Sequence, residues 1–305
     1  MNRLEKIANS FELEGKRIVV TGCGYSPVKY VFHDSLTGES THDPIRVSGQ
    51  EYKLNMGAAT AVVLVKKGAT VHMVSKTPEK LDILRNYISS LNNAPKRIES
   101  SAVDLMDSVK SQDFVKSLPK DMPLYWFHCV GLSSGSYQLP GSGNRWLPFE
   151  QITKEHFETE VMPFWVSTMN MAKAIVPRMR EQGHGKAVLI SSMSGTRSYI
   201  YGASHCPAEG AMDRLANTLT LELYKNNIWI TTLRAGAIDT GTYDSQDVQD
   251  AVKLICKEYG TDWSKGLKLA PPISVGEAAA CAFASNAHIL GINMVSQGQW
   301  PHESS

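Results

Sequence analysis

Three residues of this sequence, Ser192, His205 and Glu209, have side chains that together could transfer a proton. His205 and Glu209 are four residues apart in a segment with helical character, so their side chains share one face of the helix and can pair. A neighbouring carboxylate favours the imidazolium form and so raises the pKa of a histidine above its reference of about 6.5. A protonated His205 could act as a general acid toward a carbonyl or enolate oxygen near pH 7, with the Ser192 hydroxyl donating a hydrogen bond to that oxygen.

The same three residue types also occur in enzymes that use a serine nucleophile. Ser192 ends the hydrophobic stretch AVLISS (187–192), and no G-x-S-x-G turn surrounds it. Such a turn is what exposes a nucleophilic serine above a sheet. The sequence therefore favours acid–base chemistry over acyl transfer.

The elements that must position these residues alternate between β-branched runs and amphipathic stretches. This alternation predicts an α/β fold, a single-domain Rossmann-type doubly wound parallel sheet with helices on both faces, over residues 1–305. Predicted strands cover 16–22, 70–76, 97–105, 124–131, 187–192, 229–236 and 289–300. Predicted helices cover 56–69, 78–93 and roughly 153–180, and a further helix ends near Leu223. A Gly-, Ser- and Pro-rich surface loop is predicted over 132–150.

The segment 188–223, VLISSMSGTRSYIYGASHCPAEGAMDRLANTLTLEL, resembles the catalytic segment of the short-chain dehydrogenase/reductase family. A gapless alignment puts His205 and Glu209 at the tyrosine and lysine of that family's Tyr-x-x-x-Lys pair. Ser192 keeps the usual spacing of the family's serine, thirteen residues ahead of His205, and Phe164 takes the place of its asparagine. The resemblance implies a nicotinamide-dependent reductase whose proton-transfer residues have changed.

A second register remains open in this segment. Tyr201 is four residues before His205, and aligning it with the family's tyrosine would shorten the serine spacing to nine. Tyr201 could also supply a hydroxyl from the loop that precedes the helix. Four bulky residues are candidates either for pocket walls or for ordinary core: Trp126, Phe164, Trp165 and Met193.

The resemblance extends to the family's Thr-Gly-x-x-x-Gly-x-Gly turn, whose glycines let the backbone approach a pyrophosphate. Thr21 and Gly22 match its start, Met56 and Gly57 match its end, and Asn55 replaces the middle glycine. The turn is interrupted by an insertion at about 26–54, in which VKYVFHD (28–34) could be a strand entering a hairpin. Three outcomes are open: the insertion projects outward and spares the phosphate-binding amides, covers the cleft as a lid, or abolishes cofactor binding.

Ser75 and Lys76 stand where NAD-dependent members of the family have an acidic residue that binds the ribose 2′-hydroxyl. A hydroxyl and a cation suit a 2′-phosphate, so NADP(H) is favoured over NAD(H), although the same pair is also typical of a solvated turn. Asp104 falls at the family's adenine contact. The further cofactor contacts that the resemblance implies are Leu105, Val130, Gly131, Gly236, Ile238 and Thr240; the last three follow the pattern of the segment that touches the carboxamide.

Composition excludes several classes of partner. A net charge of +1 gives no basic surface for nucleic acid or an anionic membrane, and no apolar run reaches the ~20 residues that span a bilayer. The N-terminal residues lack the apolar core of a signal peptide, and the five cysteines include no C-x-x-C pair. We therefore expect a cytoplasmic protein without a metal site. The resemblance also implies a homodimer or homotetramer.

These observations leave three hypotheses. The first is an atypical NADP(H)-dependent oxidoreductase that acts on a carbonyl or activated alkene of a small-molecule or acyl substrate. The second is a non-redox acid–base enzyme, such as an isomerase or dehydratase, that uses His205 and Glu209. The third is a catalytically inactive ligand-binding or scaffold subunit.

Overall fold

The computed structural model describes residues 12–33, 37–42, 44–92, 97–131, 148–244, 248–249, 252 and 269–296. Within them, seven strands form one parallel sheet with helices on both faces, which confirms the Rossmann-type fold. The strands of the main sheet are β1 (Arg17–Thr21), β5 (Thr70–Ser75), β6 (Ile98–Ala102), β7 (Leu124–His128), β8 (Gly185–Ser192), β9 (Ile228–Ala235) and β10 (Gly291–Met294). The helices are α1 (Met56–Lys66), α2 (Pro78–Asn92), α3 (Ser108–Ser117), α4 (Met162–Glu181), α5 (His205–Leu223) and α6 (Pro272–Ala284).

The strand order of the main sheet is β6-β5-β1-β7-β8-β9-β10, so the direction of winding reverses between β1 and β7. In open parallel sheets, a crevice for ligands forms at the carboxyl ends of the strands beside such a reversal. All five residues of β1 and of β7 are buried, as expected for central strands between two helix layers. The fold therefore places a ligand crevice at the end of these two strands.

Among the described residues, two large apolar cores hold the layers together. One lies between the sheet and α1, α2 and α6, and the other lies between the sheet and α3, α4 and α5. Ile45, which belongs to the insertion, is buried in the first core. The insertion is thus packed onto the body of the protein.

The insertion forms a second sheet of three antiparallel strands in the order β2-β4-β3. These strands are β2 (Tyr25–Pro27), β3 (Ile45–Val47) and β4 (Gln50–Leu54). The prediction of a strand over 28–34 is wrong: residues 28–32 form no strand, His33 makes an isolated bridge to Ser40, and 34–36 lie outside the described residues. Pro27 is the last residue of β2, and one further hydrogen bond to β4 follows it, from the Val28 amide to the Glu51 carbonyl at 3.0 Å.

Other predicted elements differ at their ends. β6 stops at Ala102 and β7 at His128, so that Asp104, Val130 and Gly131 lie in the turns that follow the strands. A short helical turn and a π-helical turn, Phe157–Val161, precede α4. Most of the predicted loop 132–150 and the end of the last predicted strand, 297–300, lie outside the described residues. No helix in the described ranges has both the length and the apolar character to cross a membrane.

Candidate active site

Ser192 is the last residue of β8 and begins the short 3-10 turn Met193–Gly195. Its hydroxyl oxygen accepts a hydrogen bond from the Ser194 amide at 3.2 Å. Because that bond uses a lone pair, the hydroxyl hydrogen can still be donated to a ligand. Ser192 is partly buried, as a residue lining a crevice would be.

The first turns of α5 are held against the end of β8 by close backbone packing. A Cβ added at Gly195 would lie 3.0 Å from the Glu209 carbonyl oxygen, and one at Gly210 would lie 3.3 Å from the Gly195 oxygen. The Ser191 hydroxyl also donates to the Glu209 carbonyl at 3.3 Å. Two glycines and one serine thus fix Glu209 next to the strand that ends in Ser192.

His205 is the first residue of α5, and its Nε2 lies 4.0 Å from Glu209 Oε1. The imidazole side chain is 16% exposed and the carboxylate side chain 8%, so His205 is the more accessible member of the pair. Two cysteines lie near the carboxylate. Burial raises the pKa of the Cys129 thiol to about 12 and also raises that of Cys206, and the charge of Glu209 acts in the same direction on both. The raised pKa values favour the thiol over the more nucleophilic thiolate at both cysteines.

Tyr201 lies in the turn before α5 and adopts a φ of 62°. Such a backbone conformation is rare for a bulky residue and marks strain that the surrounding structure maintains. The turn is tight because Gly202, the next residue, packs against Cys206: a Cβ there would lie 2.5 Å from the Cys206 sulfur. Tyr201 is partly buried and lies outside the helix, which begins four residues later at His205.

The bulky candidates for pocket walls divide into two groups. Trp126 and Phe164 are 1% and 2% exposed and belong to the second core, so the interpretation of these two as pocket walls is wrong. They are buried because β7 and α4 face each other there. Trp165 and Met193 are partly buried.

His128, at the end of β7, joins the sheet to α4. Its Nδ1 lies 2.8 Å from Thr21 Oγ1 and its Nε2 lies 2.8 Å from Thr168 Oγ1, and burial lowers its pKa to about 3. Thr168 donates its hydroxyl hydrogen to the Phe164 carbonyl at 2.7 Å, so it accepts from His128 Nε2. A neutral imidazole thus bridges the two threonines.

The two retained glycines of the turn make close backbone contacts in the presence of the insertion. Gly22 has a φ of 84°, and a Cβ there would lie 2.3 Å from the Cys129 carbonyl oxygen. A Cβ at Gly57 would lie 2.7 Å from the Gly22 oxygen. Both positions need glycine, the first for its backbone angle and close approach and the second for close packing of α1 on the turn. Thr21 is buried beneath them.

Asn55 closes the base of the insertion. Its Oδ1 accepts from the amides of Gly24 at 3.0 Å and Ala58 at 2.9 Å, and its Nδ2 donates to the Gly22 carbonyl at 2.8 Å. The Gly57 amide faces the Cys129 sulfur, where it opposes the effect of burial on the pKa of that thiol. The first amides of α1, which are the usual donors to a phosphate, therefore already have partners within the protein.

Other residues predicted to bind a cofactor lie at or after the ends of β5, β6 and β7. Ser75 ends β5 and is partly buried, and Lys76 follows it at the surface. Asp104 is exposed after β6, where its carboxylate accepts from the Met106 amide at 3.0 Å. Leu105 is buried, Val130 is partly buried and Gly131 is exposed, with no atom within 4 Å of a Cβ placed on it.

The segment after β9 borders the site on the other side. Ser192 and Ala235 are register partners in the sheet, so Gly236, Ile238 and Thr240 follow directly beside the end of β8. Ile238 is buried and pairs with Ala270, whereas Gly236 and Thr240 are partly buried. The Ser26 hydroxyl of the insertion donates to the Thr240 carbonyl at 2.9 Å.

Sequence reasoning missed a buried ionic cluster that joins the insertion to this segment. Lys53 Nζ lies 2.6 Å from Asp239 Oδ1 and 2.8 Å from Asp244 Oδ1. The Lys53 side chain is 0% exposed and the two carboxylate side chains are 0% and 2% exposed. Lysine is almost never fully buried, and nothing in the strand QEYKL distinguishes Lys53 from a solvated lysine, so no local signal could have revealed it.

Comparison with known proteins agrees with this architecture. The family model described as short chain dehydrogenase matches residues 55–251, which is more than half of the chain. The chain belongs to the short-chain dehydrogenase/reductase family, a class of oxidoreductases with the Rossmann-type fold described above.

Among curated relatives, 3-ketodihydrosphingosine reductase of Bacteroides thetaiotaomicron is 24% identical over 120 residues, which cover 39% of this chain and 44% of the relative. The 3-dehydrosphinganine reductase of Danio rerio is 23% identical over 214 residues, covering 67% of this chain and 60% of the relative. The chain thus spans less than two thirds of the length of these relatives.

Solved structures share the fold at lower identity. An alcohol dehydrogenase of Thermococcus sibiricus complexed with 5-hydroxy-NADP has a TM-score of 0.67 at 17% identity and covers 94% of this chain and 99% of its own. The L-sorbose reductase of Gluconobacter frateurii complexed with NADPH and L-sorbose has a TM-score of 0.65 at 18% identity, with 94% and 97% covered.

Proposed function

We propose that this protein is an NADP(H)-dependent oxidoreductase that reduces a carbonyl or activated alkene of a small-molecule or acyl substrate. The observation that carries the proposal is that the two groups of predicted site residues lie at the same, carboxyl-terminal ends of the parallel strands. Ser75 ends β5 on one side of β1 and Lys76 follows it, whereas Ser192 ends β8 and His205 begins α5 on the other side. A dinucleotide lying along this edge would have its adenosine half at the first pair and its reacting end at the second.

The residues present suit such a cofactor. Lys76 and Ser75 offer a cation and a hydroxyl to a 2′-phosphate, and Gly22 and Gly57 give the close backbone approach that a pyrophosphate needs. When bound, NADPH would supply the hydride. Because Asn55 and Cys129 already occupy amides at the start of α1, we expect weaker pyrophosphate binding than at an uncapped helix.

Proton transfer falls to His205. Its partly exposed imidazole, in protonated form, would donate a proton to the substrate oxygen, which becomes a hydroxyl. The Ser192 hydroxyl would orient that oxygen, since its own oxygen accepts from the Ser194 amide and its hydrogen remains for the ligand. The Glu209 carboxylate would hold the imidazole and can also accept a hydrogen bond from a ribose hydroxyl.

The names of two relatives suggest where to look for a substrate. The relatives from Bacteroides thetaiotaomicron and Danio rerio are named as reductases of a 3-keto sphingoid base. A ketone on an acyl-type chain is therefore the first substrate class to test. The exposed side chains of Leu221 and Tyr224 near the end of α5, 74% and 60% exposed, support the further proposal that the protein forms a homodimer or homotetramer.

A catalytically inactive ligand-binding subunit is the second candidate. The observation that favours it is the internal capping of α1 by Asn55, together with a carboxylate and an imidazole where the resemblance expects an ammonium and a phenol. Such a protein would bind a nucleotide or a partner without turning over a substrate.

Two measurements distinguish the candidates. NADPH fluorescence is titrated with the protein, and NADPH consumption is then followed at saturating cofactor with 3-keto sphingoid bases, short ketones and enones. Saturable binding with consumption of NADPH supports the oxidoreductase. Saturable binding without consumption on any of these substrates favours the inactive subunit, and no binding at millimolar NADPH rules out the redox function.

A further inference from the structure

We propose that Lys53 is a positioning residue for the cofactor: it fixes the segment 238–244 in the shape that receives the nicotinamide end. This inference rests on the proposed function. Lys53 lies within the inserted β4, and the insertion has been treated so far as an interruption of the phosphate-binding turn. The contacts around its ammonium indicate that it is part of the site.

The insertion supplies all the hydrogen bonds that the structure describes to the two buried carboxylates. Asp239 accepts from Lys53 at Oδ1, and at Oδ2 it lies 2.6 Å from Thr41 Oγ1 and 3.3 Å from His42 Nδ1. Asp244 accepts from Lys53 at Oδ1, and from the amides of Lys29 and Tyr30 at Oδ2, at 3.0 and 3.2 Å.

These carboxylates could not be buried without the insertion. Removing an ionised carboxylate from water costs several kcal/mol unless opposite charge and hydrogen bonds compensate for it. The Lys53 ammonium supplies that charge to both, and the Phe32 ring, whose centroid lies 5.0 Å from Nζ, covers it on another side. The conformation of segment 238–244 therefore depends on a cation that the insertion delivers.

The segment that Lys53 holds is next to the reacting end of the site. Asp239 immediately precedes Thr240, and Thr240 follows the strand whose last residue, Ala235, is paired with Ser192. Ser26 adds a second attachment, since its hydroxyl donates a hydrogen bond to the Thr240 carbonyl. The same hydroxyl oxygen would lie 2.3 Å from a Cβ added at Gly241, so the insertion packs closely on this segment. Lys76, at the adenosine half, lies across β1 and makes no described contact with this cluster.

Lys53 should consequently affect binding of the nicotinamide half of the cofactor and not binding of the adenosine half. The variant Lys53→Met keeps an unbranched side chain one atom shorter than lysine and removes the charge. We expect it to weaken NADPH binding by at least about tenfold, equivalent to roughly 1.4 kcal/mol. Binding of 2′,5′-ADP, which carries the adenosine half alone, should not change. A loss of overall stability would weaken both ligands together, so this split separates positioning from folding.

The experiment measures both affinities by calorimetry in the wild type, in Lys53→Met and in the control Arg46→Met. Arg46 pairs with Glu51 in the same inserted sheet, but its side chain is 77% exposed, so its loss should change neither affinity. If Lys53→Met does not fold, Lys53→Met/Asp239→Asn/Asp244→Asn removes the charges together and is tested in the same way.

Each outcome has a defined meaning. Weaker NADPH binding with unchanged 2′,5′-ADP binding supports the positioning role. Equal weakening of both ligands, or no change in either, overturns it. If the wild type binds 2′,5′-ADP but not NADPH, the positioning role fails while a nucleotide site remains. If the wild type binds neither ligand, the proposed function itself fails and the role of Lys53 fails with it.

Discussion

His205 Nε2 lies 4.0 Å from Glu209 Oε1, one turn apart on the first two turns of α5. The pair is held beside Ser192 by the packing of Gly195 on Gly210, and the imidazole is the more exposed member. This relationship is the basis of the proposal that the histidine is the acid and that the carboxylate supports it.

We expect His205→Ala to lower turnover by about 10²–10⁴-fold, because a positioned acid contributes that much to proton transfer. NADPH affinity should not change, since the imidazole acts on the substrate oxygen. Steady-state rates and a fluorescence titration measure the two effects. Tyr201→Phe is the matched comparison: if it removes turnover while His205→Ala does not, the tyrosine hydroxyl in the strained turn is the acid.

Lys76 should determine the choice between the two nicotinamide cofactors. Replacing it with alanine removes the cation offered to the 2′-phosphate, so NADPH affinity should fall by about tenfold while NADH affinity remains unchanged. Lys66→Ala is the control: Lys66 is exposed at the C-terminal end of α1, away from the glycine turn, so its loss should change neither the NADPH nor the NADH affinity. Equal loss for both cofactors in Lys76→Ala would contradict a role in 2′-phosphate recognition.

Asn55 should contribute to stability through the three hydrogen bonds that close the insertion. Asn55→Ala should lower the free energy of unfolding by about 1–3 kcal/mol, measured by urea denaturation. Asn55→Asp keeps the acceptor for the Gly24 and Ala58 amides and loses the donor to Gly22, so its loss should be smaller. Its negative charge beside the turn should nevertheless weaken NADPH binding, and unaltered affinity would place the pyrophosphate elsewhere.

Acid should destabilise the protein through His128. The histidine is buried and neutral with a pKa of about 3, whereas an unfolded histidine titrates near pH 6.5. Between these values the unfolded state binds a proton that the folded state excludes, so the free energy of unfolding falls as pH decreases. His128 should contribute up to about 1.4 kcal/mol per pH unit over this range.

The variant His128→Gln isolates this contribution, since its amide retains a donor and an acceptor for Thr21 and Thr168 but does not titrate. The pH dependence of its unfolding free energy, measured by denaturation between pH 4 and 7, should be shallower than that of the wild type. His72, whose pKa is also lowered mainly by burial, remains in both proteins and acts in the same direction. Parallel curves for the two proteins would refute the assignment.

Gly22 should tolerate no side chain. Gly22→Ala combines a positive φ with a Cβ 2.3 Å from the Cys129 carbonyl oxygen. Gly183→Ala has a similar φ of 76° with nothing within 4 Å, so it should cost only about 1–2 kcal/mol of backbone strain. Thermal unfolding should show a further loss of about 1–3 kcal/mol for Gly22→Ala, because the strand ends must move apart. Equal losses would mean that the turn can relax.

The main sheet and its helices follow from local patterns. β-branched runs such as those of β1 and β8 predict the strands of the main sheet, and the amphipathic segments predict α1, α2, α4 and α5, with errors of a few residues at most ends. The helices α3 and α6 were not predicted. The end of α5 at Leu223 was likewise predictable, because helix periodicity is a local property, whereas the glycine turn was identified through the family resemblance.

The identity of the residues that face one another was decided by tertiary structure. From the sequence alone, Lys53 is interpreted as a solvated lysine in a strand, Asp239 as an aspartate in a loop, and Asn55 as a replacement for a glycine. Each gains its role from a partner that is distant along the chain, 186 residues away for Lys53 and Asp239 and 33 for Asn55 and Gly22. Charge pairing and burial depend on that proximity in space, which sequence periodicity does not encode.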